Sequence, residues 1–232
     1  MKLSADYHTH TKYSHGKGTI LENAVMAKER GLKEIAITDH GFGHIFFPMR
    51  RRRLEKMRKE ALEAKAKTGV NVLIGTEANL LSFSGDIDCK QEDKLDLVIM
   101  GFHKAVWYKP FNFRLGVMNI LREMFMGKKK YHSVSLEKKW VKKNTQAIIN
   151  AVRKNNIYIL SHPNRHFRVN MVEVAKACKE TNTIFELNAK SPFYSKEMLK
   201  ALADTGVNFV VNSDAHKVSK VGDVQEYLDY TF

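Results

Sequence analysis

Ile35-Ala36-Ile37-Thr38-Asp39-His40-Gly41 begins as a buried strand and stops abruptly in a carboxylate, an imidazole and a glycine. The same break recurs along the chain. His8 and His10 follow one apolar run, Glu77 ends Val72-Leu73-Ile74-Gly75-Thr76, and His103 follows Val98-Ile99-Met100-Gly101-Phe102. His162 follows Ile157-Tyr158-Ile159-Leu160-Ser161, and Asp214 with His216 comes after the last run. Side chains so far apart in sequence converge only where a fold stacks its strand ends, as a parallel α/β barrel does at its C-terminal rim. The rim is therefore expected to carry a metal-binding, catalytic site.

Short runs rich in Ile, Val and Leu alternate with segments of helical period, the βαβ pattern of a mainly parallel sheet. Strands are predicted at 2–8, 33–38, 71–76, 95–101, 157–161, 183–188 and 207–212. A helix is predicted at 19–30, where Ile20, Ala24 and Ala27 recur at helical spacing with Thr19 as cap and Gly31 beyond the end. Gly69 and Gly206 close further helices at 50–68 and 195–205. The segment 106–143 is basic and aromatic, with Trp107, Tyr108, Phe111, Phe113, Phe125, Tyr131 and Trp140. So long a connection usually carries its own helices or covers a site. A short helix is expected at 118–126 and a barrel helix within 134–154, the insertion acting as a lid or an oligomer contact.

With 232 residues, 44% hydrophobic and 28% charged, the chain reads as one ordinary globular domain. Cys89 and Cys178 lack metal-motif spacing and are too few for a disulfide framework, which favours a reducing compartment. No apolar run approaches the roughly 18 residues of a membrane span, and the first residues do not read as a signal peptide. A cytoplasmic location is the expectation. The formal charge of +14, much of it at 50–53, 128–130 and 138–143, attracts polyanions and phosphorylated small molecules alike.

The spacing within the clusters has a geometric meaning. His8 and His10, two apart, project to one side of a strand and can share an ion, whereas on a helix they would diverge. His15 follows in a loop that can turn back over the same rim. Asp39 and His40 are adjacent, so only one is expected to point inward. Glu77 is the expected bridging ligand, since a carboxylate can span two cations while imidazoles complete each set. A lone strand-end histidine is more often structural, but six strand ends carrying His, Asp or Glu exceed chance placement. His44, His132 and His166 fall outside the set and are assigned surface or substrate-side roles.

In order, His8-Thr9-His10-Thr11, Thr38-Asp39-His40-Gly41, Glu77, Gly101-Phe102-His103, Ser161-His162-Pro163 and Ser213-Asp214-Ala215-His216 resemble the PHP (polymerase and histidinol phosphatase) family of metal-dependent phosphoesterases. Gly75-Thr76-Glu77-Ala78-Asn79 and Gly85-Asp86-Ile87-Asp88-Cys89 resemble its YcdX-like branch of stand-alone phosphatases. The resemblance implies a single-domain, TIM-like, distorted seven-stranded (β/α)7 barrel holding three divalent metal ions, most often zinc, with iron or manganese in some members. It implies His8, His10, Glu77 and Asp214 around the first ion, His15, His40 and His216 around the second, and Glu77, His103 and His162 around the third. Asp39 resembles a residue that orients a neighbouring imidazole. Two features depart from the branch: the insertion at 106–143 is long, and the chain stops sixteen residues after His216, short of the expected last barrel helix. The branch otherwise implies a homo-oligomer, a trimer.

Such a site implies hydrolysis of a small phosphomonoester by a metal-bridging hydroxide. Asp39, Asp214 or a metal-bound water are the alternatives for proton delivery to the leaving alcohol. Arg165 is the leading phosphate contact because a guanidinium fork matches phosphate geometry, with His166, Lys104 and Lys190 as further candidates. Two readings compete with the phosphatase: a phosphodiesterase or exonuclease using the basic runs as a nucleic-acid channel, and a non-catalytic metal-binding PHP domain.

Overall fold

The computed structural model of the protein describes residues 3–108, 115–117, 134–190 and 194–231. Seven strands form one parallel sheet in sequential order: β1 (Ala5–Thr9), β2 (Glu34–Ile37), β3 (Asn71–Asn79), β4 (Leu97–Gly101), β5 (Ile159–Leu160), β6 (Ile184–Asn188) and β7 (Phe209–Asn212). Each overlaps a strand predicted from sequence, β1 and β3 running past the expected ends at 8 and 76 to Thr9 and Asn79. The sheet curls until its edges meet, where His10 N donates to Ala215 O at 2.8 Å and Ala215 N to His8 O at 3.2 Å. The result is a nearly closed TIM-like (β/α)7 barrel in a single domain.

Helices α1 (Ile20–Glu29), α2 (Leu54–Thr68), α3 (Val134–Lys154), α4 (Met171–Glu180), α5 (Lys196–Ala203) and α6 (Gln225–Thr231) cover the strands. Thr19 and Glu22 form a reciprocal capping box at the start of α1. Gly69 ends α2 in the left-handed region at φ 77°, where any side chain would be strained. Sequence periodicity had not singled out α4, which Asn170 caps by accepting from Glu173 N. The region after His216 also corrects the expectation of a missing last helix. There α6 buries Tyr227 and Leu228 against Leu187 and Val211. The helix expected at 118–126 and the basic run 128–130 lie outside the described residues. No described helix is long and apolar enough to cross a membrane.

Besides the α6 cluster, two larger apolar layers pack outside the sheet. One joins β1–β3 to α1 and α2 through Ile20, Ile35, Met57 and Ile74, and the other joins β4–β6 to α3 and α4 through Met100, Ile148, Val174 and Phe185. A further cluster, Ala36, Leu97, Ile99 and Ile159 with Leu73, Ile184 and Val210 against it, fills the barrel interior. Inward positions recur every second residue along a strand. Stepping by two from these apolar residues towards the C-terminal ends reaches His40, Glu77, His103, Ser161, Glu186 and Asp214. The alternation that builds the floor thus delivers the polar side chains to the mouth.

Candidate metal centre

Glu77 ends up at the centre of the mouth, 1% exposed. Its Oε1 lies 2.7 Å from His162 Nε2, 3.2 Å from His103 Nε2 and 3.4 Å from His8 Nε2. Its Oε2 lies 2.9 Å from His40 Nδ1 and 3.6 Å from His10 Nε2. Asp214 forms a second acidic focus: its Oδ1 is 3.2 Å from His10 Nε2, 3.6 Å from His8 Nε2 and 3.3 Å from His216 Nδ1. Four groups have ligand atoms close enough to share an ion: His8–His10–Asp214, His8–Glu77–His162, His40–Glu77–His103 and His10–His40–His216. His15 joins none of these groups, although its ring stacks on His40 at 4.8 Å and meets His216 edge-on at 4.1 Å.

The local chain explains these placements. Tyr7 packs on the barrel floor, so strict alternation would turn His8 outward, yet His8 faces the centre with His10. The register between β1 and β2 shifts between Asp6 and Thr9, and such an irregularity re-aims a side chain. His162 and Asp214 take left-handed backbone, at φ 27° and φ 51°. Non-glycine residues hold that conformation only where their surroundings enforce it. For His162 the enforcement is visible: its backbone N–H donates to Glu186 Oε2 at 2.8 Å. Gly101 is required by crowding, because a Cβ there would sit 2.6 Å from Ser161 Oγ and 2.8 Å from His162 Cε1.

Glu186, on β6, is the main residue the sequence expectations missed. Its Oε1 pairs with His8 Nδ1 at 2.8 Å, and Asn188 and Asn212 donate to its two oxygens. Burial opposes a charge on His8, but Glu186, Glu77 and Asp214 together hold its imidazole well above the ordinary value, so a cation at Nε2 would displace a proton there while Glu186 keeps Nδ1–H and the ring orientation. Asn79 does the same for His103, its Oδ1 2.7 Å from Nδ1, and Asp88 in turn fixes the Asn79 amide. A carboxylate inside the apolar strand Ile184-Phe185-Glu186-Leu187-Asn188 was the available signal. His44, expected at the surface or substrate side, is instead buried and stacks on His40 at 4.8 Å. His132 lies outside the described residues.

Asp39 requires a correction. Its carboxylate accepts from Thr11 N at 2.8 Å, Thr11 Oγ1 at 2.6 Å and Ser14 Oγ at 2.5 Å, and it does not line the pocket. It anchors the loop that carries His15; none of its hydrogen bonds turns an imidazole. Arg165 and His166 line the pocket beside His15, His103 and His216. Arg165 Nη1 reaches Asp214 Oδ2 at 2.9 Å, and Lys190 Nζ lies 3.3 Å from Asp214 Oδ1. Lys104 is exposed and is not among the pocket-lining residues.

The electrostatics suit cations. Burial pushes the His40 imidazole down to about 3 and His15 down to about 4, and it drives His10 well below its ordinary value, so all three are neutral. Burial alone would raise Glu77, but the His103 and His8 imidazoles outweigh it and hold the carboxyl well below the usual range. Burial likewise opposes ionisation of Asp214, and His8, His10 and Lys190 overcome it. Nitrogens His8 Nε2, His10 Nδ1 and Nε2, His15 Nδ1, His40 Nδ1 and His162 Nδ1 are buried without hydrogen-bond partners. His40 Nδ1 stands at ion-pair distance from Glu77 but is not aligned for a hydrogen bond. Buried polar atoms rarely stay unpaired, and imidazole nitrogens around two carboxylates form a donor set for zinc-like divalent ions. The residues present therefore fit a metal cluster.

Comparison with known proteins agrees. Probable phosphatase YcdX of Escherichia coli (strain K12) is 30% identical to the chain over 235 residues, covering 96% of this chain and 82% of that protein. A probable phosphatase of Proteus mirabilis (strain HI4320) is 29% identical over 236 residues, 97% of this chain and 83% of that one. Among solved structures, the histidinol phosphate phosphatase HisK of Lactococcus lactis, complexed with zinc, L-histidinol and phosphate, is similar in fold. It aligns with a TM-score of 0.61 at 17% identity, over 93% of this chain and 87% of that one. The PHP domain itself matches residues 6–194, from just before the first histidine pair to beyond β6, and on that span the chain belongs to the PHP domain family.

Proposed function

We propose that the protein is a metal-dependent phosphatase of small phosphomonoesters, working with three divalent cations, zinc foremost and iron or manganese as alternatives. The observation that carries this reading is the pair of buried carboxylates, Glu77 and Asp214, ringed by imidazole nitrogens of which His8 Nε2, His10 Nε2 and His40 Nδ1 have no hydrogen-bond partner. Similarity to proteins named phosphatases supports the reaction class, and the zinc in the Lactococcus lactis structure supports the metal. His8, His10, Glu77 and Asp214 would hold one ion, His40 and His216 with His15 a second, and Glu77, His103 and His162 a third. Bound there, divalent cations would lower the pKa of a water towards ~7 and neutralise phosphate oxygens.

The chain's own residues supply the rest. Arg165 lines the pocket with a donor directed at Asp214, Lys190 is shared between Asp214 and the His216 imidazole outside the pocket lining, and Arg165 turns to phosphate oxygens when a substrate enters. Asp214, held as an anion, serves as a ligand, which removes it as the acid for the leaving alcohol. Asp39 keeps the His15 loop in place. His166, on the same rim as Arg165, is a further substrate contact.

Elemental analysis of unchelated protein, combined with a phosphate-release screen across phosphorylated metabolites, tests the proposal. Close to three ions per chain and one preferred monoester are expected. Turnover confined to a bis-aryl phosphodiester or single-stranded DNA would replace the phosphatase with the nucleic-acid reading, and a metal-loaded protein that turns over nothing would leave a non-catalytic domain.

A further inference from the structure

Every strand but one is followed by a helix. The exception is β3, whose connection to β4, residues 80–96, contains only a single 3-10 turn at Gln91–Asp93. On β4, Val98 lies between the floor residues Leu97 and Ile99, so its side chain turns outward to where a helix would pack, and it is half-buried. A cavity of about 370 Å³ occupies that place. It lies in the seam between the two larger outer layers, Ile87 packing against one and Leu95 against the other. With Val98 these two side chains give it an apolar wall. The charged part of the lining is Lys90, Lys94 and Lys154, with no carboxylate. Asp86 holds Lys154 at 2.5 Å, and the nearby Asp93 is taken by Arg51 at 2.6 and 3.1 Å. Glu55 and Glu92 line an open groove on the other side of Lys90 and Lys94. The wall is pinned in place. Asp88, between Ile87 and Cys89, accepts from Gly43 N at 2.7 Å and Asn79 N at 2.8 Å. Arg58 Nη2 donates to Asp93 O and Lys94 O at 2.8 and 2.9 Å, and Asn155 Nδ2 to Gly85 O at 2.8 Å. Lys94 itself holds left-handed backbone at φ 49°, which a non-glycine residue keeps only where its surroundings enforce it.

We propose that this cavity is a second ligand site for a small organic anion, whose charged group is held by Lys90 and Lys94 and whose apolar body covers Val98. It shares no lining residue with the pocket at the barrel mouth, so it stands whatever reaction the metal centre performs. The volume falls in the range of pockets for small metabolites, roughly 300–1,000 Å³. Ammonium groups on flexible stems act as point charges and accept a phosphate, sulfate or carboxylate head alike. The apolar wall gives an organic anion an advantage over an inorganic one, because burying its body removes hydrocarbon from water on both sides. A loop already pinned at Asp88, Asp93 and Gly85 also spares the ordering cost that a mobile wall would impose on binding.

The test is calorimetric titration of the metal-loaded protein with naphthalene-1-sulfonate, which is not hydrolysed and whose sulfonate coordinates divalent cations weakly. Saturable binding of one molecule per chain is expected, at least about tenfold tighter than inorganic sulfate or the neutral naphthalene-1-methanol, and weakening as salt rises. Lys94→Asn removes the charge while asparagine tolerates left-handed backbone, and it should weaken binding about fivefold. Lys90→Gln makes the same test at a residue in extended backbone, φ −131°, and the two together should cost about tenfold or more. Arg165→Ala, at the metal centre, should leave sulfonate binding unchanged. The site is overturned by the absence of saturable binding below ~10 mM, or by an affinity no better than that of inorganic sulfate. Binding that survives in the Lys90 and Lys94 double variant but is lost in Arg165→Ala would place the sulfonate at the barrel mouth and overturn it equally.

Discussion

The lower and upper halves of the barrel interior are built by the same strands and behave as opposites. On β3, Leu73 packs into the floor, and four residues further Glu77 is surrounded by imidazoles. On β6, Ile184 belongs to the floor and Glu186 grips His8. A step of two residues is only about 6.6 Å, so hydrocarbon gives way to a cage of buried charge within a side chain's length. The floor gains stability from burial, roughly 1.5–3 kcal/mol for each large aliphatic side chain. The mouth pays instead, since unpaired buried nitrogens and carboxylates cost folding energy until a ligand satisfies them. Substitutions in the two halves should therefore fail in different ways: floor variants lose stability, and mouth variants lose metal and turnover.

The sharpest break comes from Glu77→Gln. The substitution keeps the shape of the one group that touches five imidazoles but removes its charge, so phosphatase turnover should fall by at least about a thousandfold and bound metal should drop below the parent's stoichiometry. A variant that keeps its full metal complement and its kcat would show that the centre does not depend on this carboxylate. On the floor, Leu97→Ala should act in the opposite sense. Leu97 is 6% exposed and pairs in register with Gly75, two residues below Glu77. Its truncation should cost about 2–5 kcal/mol in urea unfolding, while the folded fraction retains metal and turns over at close to the parent rate. Loss of metal without loss of stability would refute the division.

Much of this was legible beforehand because two signals coincide. Runs such as Val72-Leu73-Ile74 can only be strands or short buried helices, and a ligand-type residue after each run fixes both the element and its direction. The seven parallel strands, the barrel and the PHP resemblance followed from that coincidence. What was not legible depends on contacts rather than pattern. Nothing in Asp39-His40 says that the carboxylate turns to Thr11 and Ser14, or that His44 stacks on His40. The shift that brings His8 inward is a register event between β1 and β2, invisible in either strand alone. The helix α4 escaped notice because its buried face, Met171, Val174, Ala175 and Cys178, is short and follows an irregular loop.

Glu186 stands on the boundary between the two halves, and replacing it tests whether the boundary is sharp. Each of its oxygens accepts twice: Oε1 from His8 Nδ1 and Asn212, Oε2 from the His162 backbone and Asn188. A glutamine cannot satisfy four donors, because its amide nitrogen would face either an imidazole N–H and an amide or a backbone N–H and an amide. One side of the network must open, letting either His8 change tautomer or His162 relax from its left-handed backbone. Glu186→Gln should therefore weaken metal binding by about 10- to 100-fold, read by titration against a competing chelator, with turnover largely recovered at saturating metal. If metal affinity is unchanged and only the unfolding midpoint falls, Glu186 belongs with the floor, and the cage begins one residue pair higher.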